Sequence, residues 1–183
     1  MTTLLKDKIK KTEPALKAEL SVSNVFALPR LVKVVVSSGV GKVKGDKKRL
    51  EFIADRLAKL TGQKASPRGA KKSISTFKLR EGEVIGYTVT LRGKRMYGFL
   101  DKLLNIAIPR IRDFRGFDDK SVDEVGNLTI GLREHTIFPE TASEELKDVF
   151  GLAITLTTTA ATRAEALTFF RAIGFPFKKG NAK

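Results

Sequence analysis

Side chains that could bind a nucleic acid recur at every second position from 88 to 92, within the segment 84–92. Thr88, Thr90 and Arg92 alternate there with Val89 and Leu91, which is the period of a β-strand with one polar and one apolar face. Hydroxyl and guanidinium groups donate hydrogen bonds to phosphate and sugar oxygens in nucleic-acid complexes. The segment is therefore predicted to be a strand that covers a hydrophobic core on one side and can contact a nucleic-acid backbone on the other.

A basic segment precedes this strand. It carries five cations together with Ser, Gly and one aromatic residue: Arg68, Lys71, Lys72, Lys78 and Arg80. Such a composition is typical of a loop that becomes ordered on a phosphate backbone, although a merely solvated, self-repelling loop has it too. We interpret the segment 68–80 as a second nucleic-acid contact.

The positive charge of the chain is concentrated around these two features. The chain has 183 residues with 35 Lys and Arg against 20 Asp and Glu, and residues 42–112 alone hold 19 cations and 6 acids. A surface of this charge attracts polyanions, so a nucleic acid is the expected partner. A membrane surface is the weaker alternative, because the N-terminal segment has only scattered Leu where a membrane-binding helix needs a strongly apolar face.

Other residues could support catalysis, and we considered them as an alternative class of function. Gly39 and Gly41 follow a predicted strand as in phosphate-binding loops, but a dinucleotide fingerprint needs a third Gly where Lys44 stands, and no Gly-Lys-Ser/Thr follows. We interpret the two glycines as a turn with positive φ or as a point of close approach to RNA. A nucleotide-binding enzyme stays open as the second hypothesis, and tight Mg-dependent binding of ATP or NAD would favour it.

Metal and acid–base chemistry have little support in the sequence. Cys is absent, which excludes disulfides and Cys-based zinc sites and agrees with a reducing cytoplasm. His135 is the one histidine and is interpreted as structural. Four carboxylates lie in a predicted exposed loop and are interpreted as solvated: Asp118, Asp119, Asp123 and Glu124. No catalytic residue, metal or cofactor is predicted.

The elements that would position these residues alternate between helices and two-faced strands. Helices are expected over 3–20, from the N-cap Asp46 to Gly62, from 93 to just before Pro109, and from the N-cap Thr162 to Gly174. Strands are expected at 31–37, 84–92, 128–132 and 152–159, with two short strand pieces and a loop in 63–82. This predicts an α+β fold in one domain, residues 1–183, in which an antiparallel sheet has helices packed on one face and the other face open for RNA.

Several motifs then carry a resemblance to a known family. In chain order they are Leu28-Pro29-Arg30, Gly39-Val40-Gly41, Gly62-Gln63-Lys64, Ala70-Lys71-Lys72-Ser73-Ile74, Phe77-Lys78-Leu79-Arg80-Glu81-Gly82, Val89-Thr90-Leu91-Arg92-Gly93, Ile108-Pro109-Arg110-Ile111-Arg112-Asp113-Phe114-Arg115-Gly116, Phe138-Pro139-Glu140, Ile154-Thr155-Leu156-Thr157-Thr158-Thr159-Ala160 and Gly174-Phe175-Pro176-Phe177. With them the chain resembles the bacterial large-subunit ribosomal protein five family, in one segment at 24–80 and a second at 84–178.

The resemblance implies a structural protein of the cytoplasmic ribosome without enzymatic activity. It implies that the protein attaches 5S rRNA in the central protuberance, contacts the elbow of the P-site tRNA, and bridges to small-subunit ribosomal protein thirteen. Neighbouring large-subunit proteins and 23S rRNA are further expected partners.

The resemblance also suggests which residues make these contacts. The expected rRNA contacts are Ser37, Gln63, Thr88, Thr90 and Arg92, where Ser37 stands in place of the Asn that the family usually has. The expected tRNA-contacting loop contains Arg68, Lys71, Lys72, Lys78 and Arg80.

Overall fold

The computed structural model describes residues 5–43, 45–142 and 148–178. These residues form four α-helices and five β-strands: α1 (Leu5–Glu19), β1 (Leu31–Gly39), α2 (Lys47–Thr61), β2 (Ser66–Gly69), β3 (Val84–Leu91), α3 (Gly93–Lys102), β4 (Leu128–Leu132), β5 (Leu152–Thr158) and α4 (Arg163–Ile173). The strands form one antiparallel sheet in the order β2-β3-β1-β5-β4. The predicted α+β fold is thereby confirmed.

The ends of α2 and α4 lie where the capping residues predict them. The Asp46 carboxylate accepts the N–H of Arg49 at 3.1 Å, and Gly62 ends α2 in the left-handed conformation at φ 68°. The Thr162 hydroxyl accepts the N–H of Glu165 at 3.3 Å, and Gly174 ends α4 at φ 98°. Each cap satisfies backbone groups that a helix end leaves without an intrahelical partner.

The helix after β3 differs from its prediction. Its α-helical part ends at Lys102, seven residues before Pro109, and the chain continues through a π-helical turn (Leu103–Ala107) and a 3₁₀ turn (Ile108–Arg110). Pro109 has no N–H with which to extend an α-helical ladder. The wider turn keeps Leu103 and Ala107 buried, in line with Met96 and Leu100 of α3.

By its internal contacts the chain divides into two compact units, whose four boundaries fall inside β1, directly after β3, inside β4 and inside β5. Unit one comprises the described residues up to Val34, Arg92–Ile130, and the described residues from Thr155 onward; unit two comprises the described residues of Val35–Leu91 and Gly131–Ile154. The single domain expected from the sequence stays a prediction.

In unit one, α1 packs against α3 and α4. The helices bury large apolar side chains at helical spacing, among them Leu5, Leu16, Leu100, Phe169 and Phe170. The N–H of Leu5, at the start of α1, donates to the Asp101 carboxylate at 2.6 Å. This bond satisfies one of the free donors of the first helical turn.

In unit two, α2 packs against β3. Ile53, Leu57 and Leu60 of α2 are buried, as are Val89 and Leu91 of β3, so the apolar face predicted for the strand forms the core of this unit. β1 extends two residues beyond its predicted end, because Ser38 is buried and its hydroxyl donates to the carbonyl oxygen of Gly151 at 2.8 Å.

The segment between α2 and β3 contains one strand rather than two. β2 pairs antiparallel with β3 from Ser66 opposite Thr88 to Gly69 opposite Val84, with a bulge between Arg68 and Gly69. The second predicted strand piece is reduced to an isolated bridge between Ile74 and Leu79.

Candidate nucleic-acid interface

In unit two, the outward side of the sheet presents short polar side chains. Ser37 on β1 and Thr88 and Thr90 on β3 are half-buried, and they alternate with inward residues that are buried, such as Val36 and Val89. β1 and β3 are neighbours in the sheet. Their backbone ladder therefore fixes the positions of these hydroxyls before any ligand binds.

Gln63 is held beside the same strand. It follows the left-handed Gly62, and its Nε2 donates to the carbonyl oxygen of Thr90 at 3.3 Å. The structure thus brings together two of the residues that the resemblance assigns to rRNA. The Ser37 hydroxyl lies 3.5 Å from the carbonyl oxygen of Ala153, which is a long and weak hydrogen bond.

Arg92 belongs to unit one and directly precedes α3. Its backbone is extended (φ −140°, ψ 161°), it occupies the N-cap position of α3, and its side chain is exposed and makes no capping bond. Within the described residues, no carboxylate forms an ion pair with its guanidinium. The guanidinium of Arg92 is therefore accessible to an anion such as a phosphate.

The first turn of α3 adds two cations that the sequence reasoning did not single out, Lys94 and Arg95. Both are exposed, and the first turn contains no acidic residue. Positive side chains at the positive end of a helix dipole are unfavourable by themselves, whereas a phosphate bound there interacts well with the cations and with the free backbone N–H groups. The signal in the sequence was two cations after the strand at a helix start, where acidic residues are usual.

The predicted basic loop has local structure of its own. Ile74 and Leu79 exchange two backbone hydrogen bonds of 3.0 and 3.1 Å, which close a short 3₁₀ turn (Ser75–Phe77). Lys78 follows this turn in the left-handed conformation at φ 48°. All five predicted contact residues are exposed: Arg68, Lys71, Lys72, Lys78 and Arg80. Arg68, however, lies in β2 opposite Gly86 of β3, so only the other four belong to the loop.

Gly39, the last residue of β1, and Gly41 do not behave as expected. Neither Gly39 nor Gly41 has a positive φ, and no heavy atom lies within 4 Å of the place where a Cβ would stand. The interpretation as a turn with positive φ is therefore wrong. The open space at both positions leaves the alternative, a close approach of RNA, as a prediction.

The acidic loop of unit one uses its carboxylates within the protein. Both oxygens of Asp119 accept from Nη2 of Arg171 at 3.0 Å, and Asp118 accepts from Lys178 at 3.0 Å.

Burial raises the pKa of the Asp123 carboxyl, but hydrogen bonds led by those from Asn127 outweigh this effect and hold the pKa below its ordinary value. In the described part of the chain, no group of three or more possible ligands is placed to hold a metal ion.

His135, in unit two, is fully buried. Its ring stacks on Phe150 with 3.9 Å between the centroids, and its Nδ1 accepts the N–H of Phe150 at 3.3 Å. These contacts agree with the structural role expected from the sequence.

None of the helices in the described ranges is long and apolar enough to cross a membrane.

Comparisons with known proteins match nearly the whole chain. Residues 24–80 match the family model described as ribosomal protein L5, and residues 84–177 match that of the ribosomal L5P family C-terminus. Similar proteins include the large ribosomal subunit protein uL5 of Prochlorococcus marinus (strain MIT 9211), 46% identical over 175 residues that cover 95% of this chain and 98% of that one. The protein of the same name from Thermotoga sp. (strain RQ2) is 46% identical over 177 residues, 96% of each chain.

Proposed function

The chain belongs to the ribosomal protein L5 family, and on that premise we propose that it binds 5S rRNA through the open face of its sheet and helps to attach this RNA in the central protuberance. Membership makes it a structural, non-enzymatic constituent of the large subunit of the cytoplasmic ribosome. The family resemblance found in the sequence is thereby confirmed. The nucleotide-binding enzyme considered as an alternative is excluded by the same membership.

The observation that carries the proposal is the row of hydroxyl and amide groups on the outward side of β1 and β3. Ser37, Thr88 and Thr90 are held by the ladder, and Gln63 is tied to the strand. A-form RNA displays its 2′-hydroxyls and base edges in a wide, shallow minor groove. Short polar side chains on a rigid sheet suit such a surface, because they form hydrogen bonds without ordering long side chains.

Electrostatic attraction supplies a separate part of the proposed binding. Unit one offers Arg92 and the basic first turn of α3, where phosphate would find cations and free backbone N–H groups together. Phosphate contacts position an RNA without reading its sequence. In this proposal the cations provide most of the affinity, and the hydroxyls of the sheet fix the register of the RNA.

The basic loop is proposed to contact the elbow of the P-site tRNA. Among the described residues, Arg68, Lys71 and Lys72 form no ion pair with a carboxylate, so their charge is available to a phosphate backbone. The bridge to small-subunit ribosomal protein thirteen and the contacts with 23S rRNA and neighbouring large-subunit proteins are also proposed. They rest on the family resemblance.

The experiment that tests the main proposal is a titration of 5S rRNA with the purified protein at several salt concentrations. We expect tight binding whose affinity falls steeply as salt rises, because phosphate contacts release counterions. An unrelated RNA hairpin of the same length serves as the control and should bind much more weakly. Affinity that is independent of salt, or equal for the two RNAs, contradicts the proposal.

A further inference from the structure

An exposed phenylalanine lies outside every contact proposed so far. Phe26 has 77% of its surface exposed, the largest fraction of the exposed large apolar side chains in the described ranges. It lies in unit one, in a 3₁₀ turn (Val25–Ala27) between α1 and β1. A single exposed apolar side chain is ordinary on a protein surface, so its setting must decide whether it has a role.

The turn holds Phe26 in a defined position. The Asn24 side chain accepts the N–H of Phe26 at 2.9 Å, and the N–H of Leu28 donates to the carbonyl oxygen of Val25 at 3.2 Å. Leu28 and Pro29, which follow, are both buried. The backbone on both sides of Phe26 is thus held in place by hydrogen bonds and burial. Less conformational entropy is therefore lost when the ring contacts a ligand.

An exposed cation follows four residues later. The N–H of Arg30 donates to the hydroxyl of Thr159 at 2.9 Å, and its carbonyl oxygen accepts the N–H of Thr159 at 3.0 Å. The backbone of Arg30 is therefore fixed, while its side chain is exposed. No carboxylate in the described ranges forms an ion pair with this guanidinium.

We propose that Phe26 is a stacking platform for an unpaired nucleobase of the bound rRNA and that Arg30 binds a phosphate next to that base. The inference rests on the proposed binding of rRNA and adds a contact to it. An aromatic ring stacks on any base because every base has a π-face, and a neighbouring cation adds the phosphate contact. An exposed aromatic ring and an exposed guanidinium four residues apart in sequence therefore offer the two contacts that one nucleotide needs.

A protein partner fits this turn less well. Besides Phe26, the turn exposes one large apolar side chain, Val25, which is 42% exposed. The other residues next to Phe26 in sequence are small or polar: Ser23, Asn24 and Ala27. Protein interfaces bury about 800 Å² on each partner around an apolar centre, which is far more apolar surface than this turn offers.

The test compares Phe26→Leu with Phe26→Trp in binding to 5S rRNA. Leucine keeps the apolar volume but has no π-face, so we expect the Phe26→Leu affinity to fall about 5- to 100-fold. Tryptophan preserves stacking and should bind like the wild type. The slope of affinity against salt should stay unchanged in Phe26→Leu, since stacking releases no counterion, and should fall by about one unit in Arg30→Gln.

A direct readout is the fluorescence of 2-aminopurine placed at each unpaired position of 5S rRNA in turn. The emission of this base depends on what it stacks on, so at one position the fluorescence should change on binding of the wild type and of Phe26→Trp but not on binding of Phe26→Leu. Phe77→Leu is the matched control, because Phe77 is 70% exposed and lies in the loop proposed for tRNA. The 5S affinity and the fluorescence change of Phe77→Leu should equal those of the wild type.

The outcomes separate this inference from the proposed function. A wild-type protein that fails to bind 5S rRNA overturns both. A wild type and a Phe26→Leu variant that bind equally well overturn the stacking contact alone, and so does loss of binding in Phe26→Trp. Normal 5S binding with poor incorporation of Phe26→Leu into large subunits also overturns the stacking contact with 5S rRNA and indicates a contact with another component of the subunit.

Discussion

The outward face of β1 and β3 and the basic loop 68–80 are both proposed RNA contacts, but they hold their side chains in different ways. Ser37, Thr88 and Thr90 are short, half-buried and fixed by a sheet. The five cations of the segment 68–80 are long and exposed, and four of them lie beyond β2, in a loop that the bridge between Ile74 and Leu79 closes. Hydroxyls on a rigid support suit recognition of one RNA shape, whereas long cations suit attraction to any phosphate backbone.

This difference predicts a division of roles. The sheet face should discriminate 5S rRNA from other RNAs, because its hydrogen bonds form only with a complementary surface. The loop should contribute charge that is largely indifferent to sequence and that can reach a second RNA. Substitutions on the sheet face should therefore change the affinity for 5S rRNA, whereas substitutions in the loop should change the binding of the second RNA.

The largest effect is expected for Arg92→Ala. Removing a guanidinium that contacts phosphate or ribose should weaken 5S rRNA binding by about 1–3 kcal/mol. Filter binding at fixed salt measures the change. Lys10→Ala, which removes an exposed cation from α1, is the control for total charge and should have little effect; an equal loss in both variants would mean that net charge alone drives binding.

A smaller effect, in the opposite direction, is expected for Ser37→Asn. The amide has both a donor and an acceptor and reaches further than the hydroxyl, so 5S binding should become tighter by about 0.5–1.5 kcal/mol. Ser37→Ala should bind more weakly than the wild type. If neither asparagine nor alanine at position 37 changes the affinity for 5S rRNA, Ser37 does not face the RNA.

The smallest effect on 5S binding is expected for the double change Lys71→Ala and Lys72→Ala. Both side chains lie in the loop proposed for tRNA, so 5S affinity should change by less than about 0.5 kcal/mol. Occupancy of the P site by tRNA on reconstituted ribosomes should fall, and a toeprint would measure it. Loss of 5S binding in this variant would contradict the division of roles.

The sequence predicts those parts of the fold that local interactions determine. The ends of α2 and α4 depend on Asp46, Thr162, Gly62 and Gly174, whose capping behaviour is a local property. Buried and more exposed residues alternate along β4 and β5 because one side of each strand faces a core. Both regular helices and two-faced strands are therefore predictable from the sequence.

The features that the sequence did not predict depend on contacts distant in the chain or on the exact backbone path. The π-helical turn at Leu103–Ala107 keeps side chains in a core that sequence spacing alone does not define. The bulge between Arg68 and Gly69 depends on the register of β2 against β3. The basic first turn of α3 is not evident from the sequence, because Lys94 and Arg95 can hold a phosphate together with free backbone N–H groups only where a helix begins.

The absence of Cys from the chain allows the central claim to be tested with a single introduced thiol. An iron chelate that generates hydroxyl radicals is attached to Val35→Cys, on the outward side of β1, or to Lys72→Cys in the loop, and each protein is bound to 5S rRNA. We predict strong, localised cleavage of 5S rRNA from position 35 and little or none from position 72. Strong cleavage from position 72 together with none from position 35 would contradict the assignment of the open sheet face to 5S rRNA.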